Sequence, residues 1–394
     1  MTSIEKPVPH KIKYFSGLFK GKNSYESDGV KGTFLASKTK NIIFIITLFI
    51  LLIIASLIAL AVGAIDIPLS EVLKAIGNEL FPNIVDSPEK AYHSTIVIKS
   101  RGPRILLAVI TGISLAMSGV VMQGLLRNPL VSPFTLGVSS AASFGAALSL
   151  VLGASLFGAA YYGSVTILGQ TYTNKNLIII LFAFISGLLS VLLVLSIARA
   201  QHLSQSVLIL SGIVVNYLFS AGISFMKYIS EDHALREITL WLMGGMWGAT
   251  WSTVILLIPI VVVCFVLMEY ITIDMNTLSG GDDVAKSLGV DVKRLRTLGL
   301  VASAFVTSAC ISFTGIIGFI GLMAPHICRL FIGNDHRYLL PASALMGALI
   351  LLISDTVARV ILRPTEMPVG IIMYLIGGVF FIWLVTRESG RYFT

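Results

Sequence analysis

The sequence predicts an all-α, polytopic membrane protein of about ten transmembrane helices, with helices 2–5 and 7–10 forming an inverted repeat. Charged residues make up only 12% of the chain, about half the ~25% of a soluble domain. Hydrophobic types reach 56% of 394 residues and mean hydropathy is +0.90. At ~20 apolar residues per crossing, that supply covers about ten crossings with their loops. The charges are also spaced so that the gaps between them have the length of a span. These features exclude a soluble enzyme, a nucleic-acid-binding domain and a disordered chain, despite the net charge of +8. In a membrane protein a basic excess marks the cytoplasmic face, so no nucleic acid is expected as a partner.

Residues 1–40 carry Lys6, Lys11, Lys13, Lys20, Lys22, Lys31, Lys38 and Lys40, without the apolar run of a signal peptide. Their low apolar content predicts a disordered basic cytoplasmic tail, followed by a ten-helix domain over 41–394. Uncharged stretches then run 41–65, 105–126, 128–174, 176–198, 200–226, 238–268, 297–328, 338–354 and 367–386. Most have the length of one helix. The second half of 128–174 is rich in Gly, Ser, Thr, Tyr and Gln and reads as an uncharged loop. In 297–328 the residues Gly315, Gly318, Gly321 and Pro325 break the helix, giving two spans. The total is ten. An even count places both termini on one side, and with ten of the 28 Lys and Arg outside and 18 inside, that side is the cytoplasm of a cell (plasma or inner) membrane.

Shifted by 196 residues, the sequence aligns Thr111 with Thr307, Gly119 with Gly315, Leu126 with Leu322, Pro129 with Pro325 and Gly137 with Gly333. In the ten-span count Pro129 and Pro325 each open a span, and those spans point in opposite directions. This pattern suits an inverted repeat with Gly/Pro-broken helices beside a transport path.

Arg101-Gly-Pro-Arg104 enters the second span from outside. Cations at a helix start oppose the dipole, so lipid headgroups or an acidic protein surface are expected nearby. At the inner end, Gln123…Arg127-Asn128-Pro129-Leu130 interrupts the helix, because Pro129 lacks an N–H and disfavours helix at Asn128. Residues 272–296 form the main inner loop. Within it Asp282 and Asp283 suit a helix start and Gly289 a helix end, so either a short amphipathic helix or a solvated loop fits. Asp355 and Arg359 share a helix face four residues apart, as a structural pair or an ion relay. Cys264, Cys310 and Cys328 read as packing residues, and His326 and His336 lack a second ligand, so no metal site or cofactor is expected. No G-x-x-x-x-G-K-[ST] loop occurs, so ATP hydrolysis by this chain is not expected.

In this order the motifs resemble the permease subunits of ABC importers for iron–siderophore complexes, haem, cobalamin and sometimes molybdate. The matching residues are Arg101-Gly-Pro-Arg104, Gly119-Val-Val-Met-Gln123, Arg127-Asn-Pro-Leu130 with Pro133 and Leu136-Gly137, and Trp241-Leu-Met-Gly-Gly245. They continue through Gly318-Phe-Ile-Gly-Leu-Met-Ala-Pro-His326 with Arg329, Asp335-His-Arg337, Pro341, Asp355…Arg359 and Glu366-Met-Pro-Val-Gly370. The resemblance covers residues 42–387. It implies a passive permease, paired with a second permease subunit as a homodimer in the lipid bilayer. Two cytoplasmic ATP-binding subunits would drive it by alternating access, and an external substrate-binding protein would supply it.

The resemblance also assigns roles. Arg101, Arg104 and Arg359 would meet acidic groups of the binding protein. Asp282, Asp283, Val284, Ala285, Lys286, Ser287, Leu288 and Gly289 would form the ATPase-coupling helix. Leu130, Gln205 and Ser206, with Gln123, Asn128 and Pro129, would line or close the inner end of the path. Three departures stand out: Asp283 where the coupling motif has Glu, Gln205 in place of a smaller hydroxyl residue, and Gly377-Gly-Val-Phe-Phe381 without the family's proline. The rival reading, an ion-coupled secondary transporter, would need membrane-embedded acids, for which Asp355 is the candidate.

Overall fold

The computed structural model describes residues 29–167, 170–199 and 203–392. The chain divides into two units, Met1–Lys40 and Asn41–Thr394. Of the tail expected over residues 1–40, residues 1–28 lie outside the described residues, and residues 29–40 are helical, opening α1 (Gly29–Ala61).

The helices after α1 are α2 (Leu69–Leu80), α3 (Ala91–Ser94) and, after a π-helical stretch over Thr95–Arg101, α4 (Gly102–Leu125). α5 (Val138–Phe157) leads through a 3-10 turn into the antiparallel hairpin β1 (Ser164–Ile167) and β2 (Gln170–Thr173). Then come α6 (Asn174–Arg199), α7 (Gln205–Ile229), α8 (Asp232–Met243), α9 (Trp251–Tyr270), α10 (Thr272–Leu278) and α11 (Asp282–Ser287). α12 (Val292–Thr314), α13 (Ile320–Ile332), α14 (His336–Val360) and α15 (Val369–Tyr392) complete the chain.

Among the described residues, eight helices are long and apolar enough to cross a membrane, and α13 and Val369–Leu384 of α15 are shorter apolar helices. These ten correspond one for one with the ten expected stretches. The all-α membrane class therefore holds, with the two-stranded hairpin as its small exception. At ~1.5 Å per residue, the 13 residues of α13 reach about 20 Å, short of the ~30 Å hydrocarbon thickness.

The differences from expectation have local causes. The sixth stretch, 238–268, is two helices, because Gly244 takes φ +64° and Gly245 N–H turns away to Thr314 O at 2.7 Å. The prolines do not both open spans. Pro129 lies in the non-helical segment before α5, whose first residue is Val138, and Pro325 lies inside α13. Part of the uncharged loop after α5 is ordered as the hairpin, with Tyr172 Oη 3.0 Å from Thr250 Oγ1.

Several starts use side-chain caps. Ser204, Thr250, Asp291 and Asp335 accept N–H groups of α7, α9, α12 and α14, satisfying donors that a helix cannot pair internally.

α4 is the central helix, packed against α9, α12, α13 and α14. Its small residues permit this. A Cβ on Gly112 would lie 2.5 Å from Gly347 O, and one on Gly119 would overlap Gly321 O. Membrane helices gain little from burying apolar groups against each other rather than lipid, so such close backbone approach supplies much of the association.

Gly119→Ala should therefore destabilise the protein by about 1–3 kcal/mol, the usual cost of overpacking. Gly378→Ala, where a Cβ meets nothing within 4 Å, should leave it unchanged or slightly more stable. Thermal unfolding in detergent checks both, and equal midpoints for the two variants would remove α4's close approach as a stabilising contact.

Candidate functional site

Polar machinery gathers at the two ends of the bundle. At the end where α4 starts and α14 finishes, Asp355 is wholly buried and holds two cations. Arg104 Nη2 lies 2.9 Å from its Oδ1 and Arg359 Nε 3.3 Å from its Oδ2. Arg104 also reaches Glu366 at 2.5 Å. Arg101 and Arg359 are almost fully buried, 6% and 4% exposed. Arg101 donates to the carbonyls of Leu60, Ala61 and Ile65, and Arg359 to Ala59 O at 3.1 Å. These guanidiniums thus tie the exit of α1 to α4 and α14.

The arginines expected to face an external protein are turned inward, with only a recess left to them. That hollow, about 230 Å³, is lined in part by Gly63, Ser100, Arg101, Arg104, Arg359 and Glu366. Three cations against Asp355 and Glu366 leave one positive charge uncompensated within it. Nearby, Arg363 pairs with Asp66 at 3.0 Å and holds that carboxyl below its ordinary range.

At the opposite end, α4 stops at Leu125, and Arg127 takes a left-handed φ of +43°. Asn128 Oδ1 accepts the Leu130 N–H at 2.9 Å, closing a turn that projects Leu130, 59% exposed. Pro129 and Ser206 are exposed and Gln205 half-buried, so these four sit at or near the surface. Gln123 does not join them. Its side chain is buried between helices and donates from Nε2 to Gly321 O at 3.1 Å, bracing α4 on α13.

The expected short helix forms as α11, starting at Asp282 and Asp283 after Gly281 (φ +116°), with Gly289 (φ +87°) two residues beyond its end. Ala285 is buried, whereas Asp283, Val284, Lys286, Ser287, Leu288 and Gly289 are exposed, leaving a mixed apolar and charged face. The 272–296 stretch is more ordered than a loop, because α10 packs on α14. Asn276 donates to Asp335 at 2.8 Å and accepts the His336 N–H at 2.9 Å. The Arg337 guanidinium beside Asp335, with the Asn276 amide, holds the Asp335 carboxyl below its ordinary value of 3.8.

Sequence reading did not foresee the partners of Asp282. Arg296, only 2% exposed, grips its carboxylate with two nitrogens at 2.9 Å, and Arg127 adds a contact at 3.2 Å. The available signal was Arg296, the last of the cations Lys293, Arg294 and Arg296, bordering a 32-residue uncharged stretch. Among the described residues no group of three or more His, Cys, Asp or Glu could hold a metal.

The family model described as the FecCD transport family matches residues 51–387. A putative ABC transporter permease protein of Methanocaldococcus jannaschii is 37% identical over 89% of this chain and 96% of its own length. The hemin transport system permease protein HmuU of Yersinia pestis is 39% identical over 74% and 84%, and the cobalamin import system permease protein BtuC of Halobacterium salinarum 40% over 77% and 76%. A solved structure, an inward-facing conformation of a putative metal-chelate type ABC transporter, superposes with TM-score 0.71 at 30% identity, covering 87% of this chain and 98% of that one.

Two outcomes test the site. Asp355→Asn should cost about 3–5 kcal/mol, because it strands two buried cations, while Glu366→Gln at the exposed edge should cost about 1 kcal/mol or less. Similar unfolding midpoints for both would contradict the buried pairing. For Asp335 the folded pKa is depressed, so its stabilisation is present above the unfolded value and disappears as pH falls through the folded one. Unfolding midpoints followed downward from about pH 6 should drop more steeply below about pH 4 in the wild type than in Asp335→Asn; parallel curves would remove that contribution.

Proposed function

The chain belongs to the FecCD transport family, and on that premise we propose that it is the permease of a type II ABC importer for a metal chelate of the haem, cobalamin or ferric-citrate kind. The match over residues 51–387 carries the reading. Two copies pair around a central path, two cytoplasmic ATPases drive them, and an external binding protein loads them. Both termini lie in the cytoplasm. The exposed face of α11, residues 282–289, seats in an ATPase cleft. An acidic side chain of the binding protein enters the outer recess, whose surplus positive charge on Arg101, Arg104 and Arg359 favours it. Leu130, Asn128, Pro129, Gln205 and Ser206 close the inner end of the path.

The chain itself performs no bond chemistry in this scheme. ATP shifts the assembly between an outward-open and an inward-open arrangement by binding one better than the other. The sparse intramembrane charge suits a bulky chelate. Asp355 offers little support for the ion-coupled rival, because both of its oxygens are committed to arginines.

The test is reconstitution in vesicles with the partner ATPase and binding protein, measuring uptake of haemin, cyanocobalamin and ferric citrate. ATP-dependent accumulation of one of them is expected. Accumulation by the permease without an ATPase would overturn the reading.

A further inference from the structure

Asp282 and Arg296 belong to a four-residue ring that joins the coupling helix to the inner ends of two spans. The Asp282 carboxylate opens α11. Arg296, in the second turn of α12, meets it in a two-pronged pair, Nη1 to Oδ2 and Nη2 to Oδ1, each 2.9 Å. Arg127, just past the end of α4, reaches the same Oδ1 at 3.2 Å. Gln205, the first residue of α7, closes the ring. With its amide oxygen toward the donors, it accepts from Arg296 Nη2 at 2.9 Å and from Arg127 Nε and Nη2 at 2.6 and 3.0 Å. Arg296 additionally donates from Nε to Leu125 O at 3.3 Å and from Nη1 to Leu203 O at 3.1 Å. One guanidinium therefore fixes the last residue of α4, the turn before α7 and the first residue of α11.

We propose that Arg296 is the positioning residue that transmits displacement of α11 to the inner gate. The physical reason is its burial. A desolvated guanidinium cannot lose its carboxylate without a large penalty, and its planar fork holds several acceptors in fixed directions, which a lysine does not. When α11 shifts, the Asp282–Arg296 pair survives only if the groups gripping the same guanidinium travel with it. Those groups are the end of α4, five residues from Leu130, and the start of α7, which carries Gln205 and Ser206. The ring thus converts motion of a surface helix into motion of the gate.

The inference rests on the importer reading, and its test separates the two. Spin-label pairs Leu130→Cys/Val357→Cys and Ser279→Cys/Val357→Cys report the gate and the segment entering the coupling helix against the far end of α14. The three native thiols are buried, and the three reporter positions are exposed, with Ser279 outside the face assigned to the ATPase cleft. In the reconstituted complex with its ATPases, nucleotide should change both distances in the otherwise native chain. In Arg296→Gln it should change the Ser279 distance while the change at Leu130 is lost, and transport per ATP hydrolysed should fall about tenfold. A purely structural role would lower the amount of assembled complex and leave that partition intact. If Arg296→Gln does not assemble, Arg127→Gln and Gln205→Leu, at the accessible edge of the ring, carry the same readout. A gate that follows the coupling helix in every assembled variant overturns the proposal alone. A native complex in which nucleotide moves neither pair counts against the importer reading as well.

Discussion

The close backbone approach of α4 to α13 and α14 is the constraint on which the remaining structure depends. Gly112 faces Gly347, and Gly119 faces Gly321, so the helices meet without intervening side chains. Lipid competes equally well for apolar side chains, and it is short-range packing and interhelical hydrogen bonds that select one arrangement. The Gln123 amide supplies such a bond to Gly321 O. Once α4 is fixed on this side, its two ends are fixed as well, and both ends carry the charged residues.

Those charges follow one rule. Each of the guanidiniums of Arg101, Arg296 and Arg359 is matched to backbone carbonyls at a chain break, and those of Arg296 and Arg359 to a carboxylate as well. Arg101 and Arg359 donate to carbonyls where α1 ends, while Arg296 donates to those where α4 ends and α7 begins. Helix ends leave their last carbonyls unpaired, and burying them calls for donors that water would otherwise provide. An arginine meets several at once and brings a positive charge that suits the negative end of the helix dipole. In this way the breaks between spans become junctions in which three or four segments share a single side chain.

The parts of this organisation legible in the sequence were those set by hydropathy and by backbone chemistry. The uncharged stretches gave the ten apolar helices, and Asp282 with Gly289 gave the beginning of α11 and the turn beyond it. The Gly244 break inside 238–268 was not legible, because two adjacent glycines in an apolar run are also compatible with a packed continuous helix. It is the bond from Gly245 N–H to Thr314 O, a tertiary contact, that decides. The prolines misled for a related reason. A proline is tolerated inside α13 because the carbonyl that Pro325 cannot bond, Gly321 O, accepts from the Gln123 amide at 3.1 Å instead, so its presence does not mark a boundary. The pairing of Asp282 with Arg296 spans 14 residues, but that of Arg104 with Asp355 spans 251, and no local spacing rule reaches so far.

Burial also changes what an arginine at the end of the bundle can do. A fully solvated arginine binds an acidic partner weakly, since water and salt screen the pair. In the recess beside Asp355, the guanidiniums are oriented by bonds already made, and part of the entropy otherwise lost on binding has been removed in advance. On the proposed docking role, the one positive charge left over would discriminate partners, favouring a single carboxylate and resisting a cation. The same arrangement at the opposite end of the bundle leaves Arg127 and Arg296 facing one carboxylate, Asp282, and one amide, Gln205. An acid at position 205 would neutralise that site and a small hydroxyl would leave a donor unfilled. Gln205, read in the sequence as standing where a smaller hydroxyl residue was expected, is of a size and polarity that complete the ring, and it belongs to the same electrostatic solution as the buried arginine beside it.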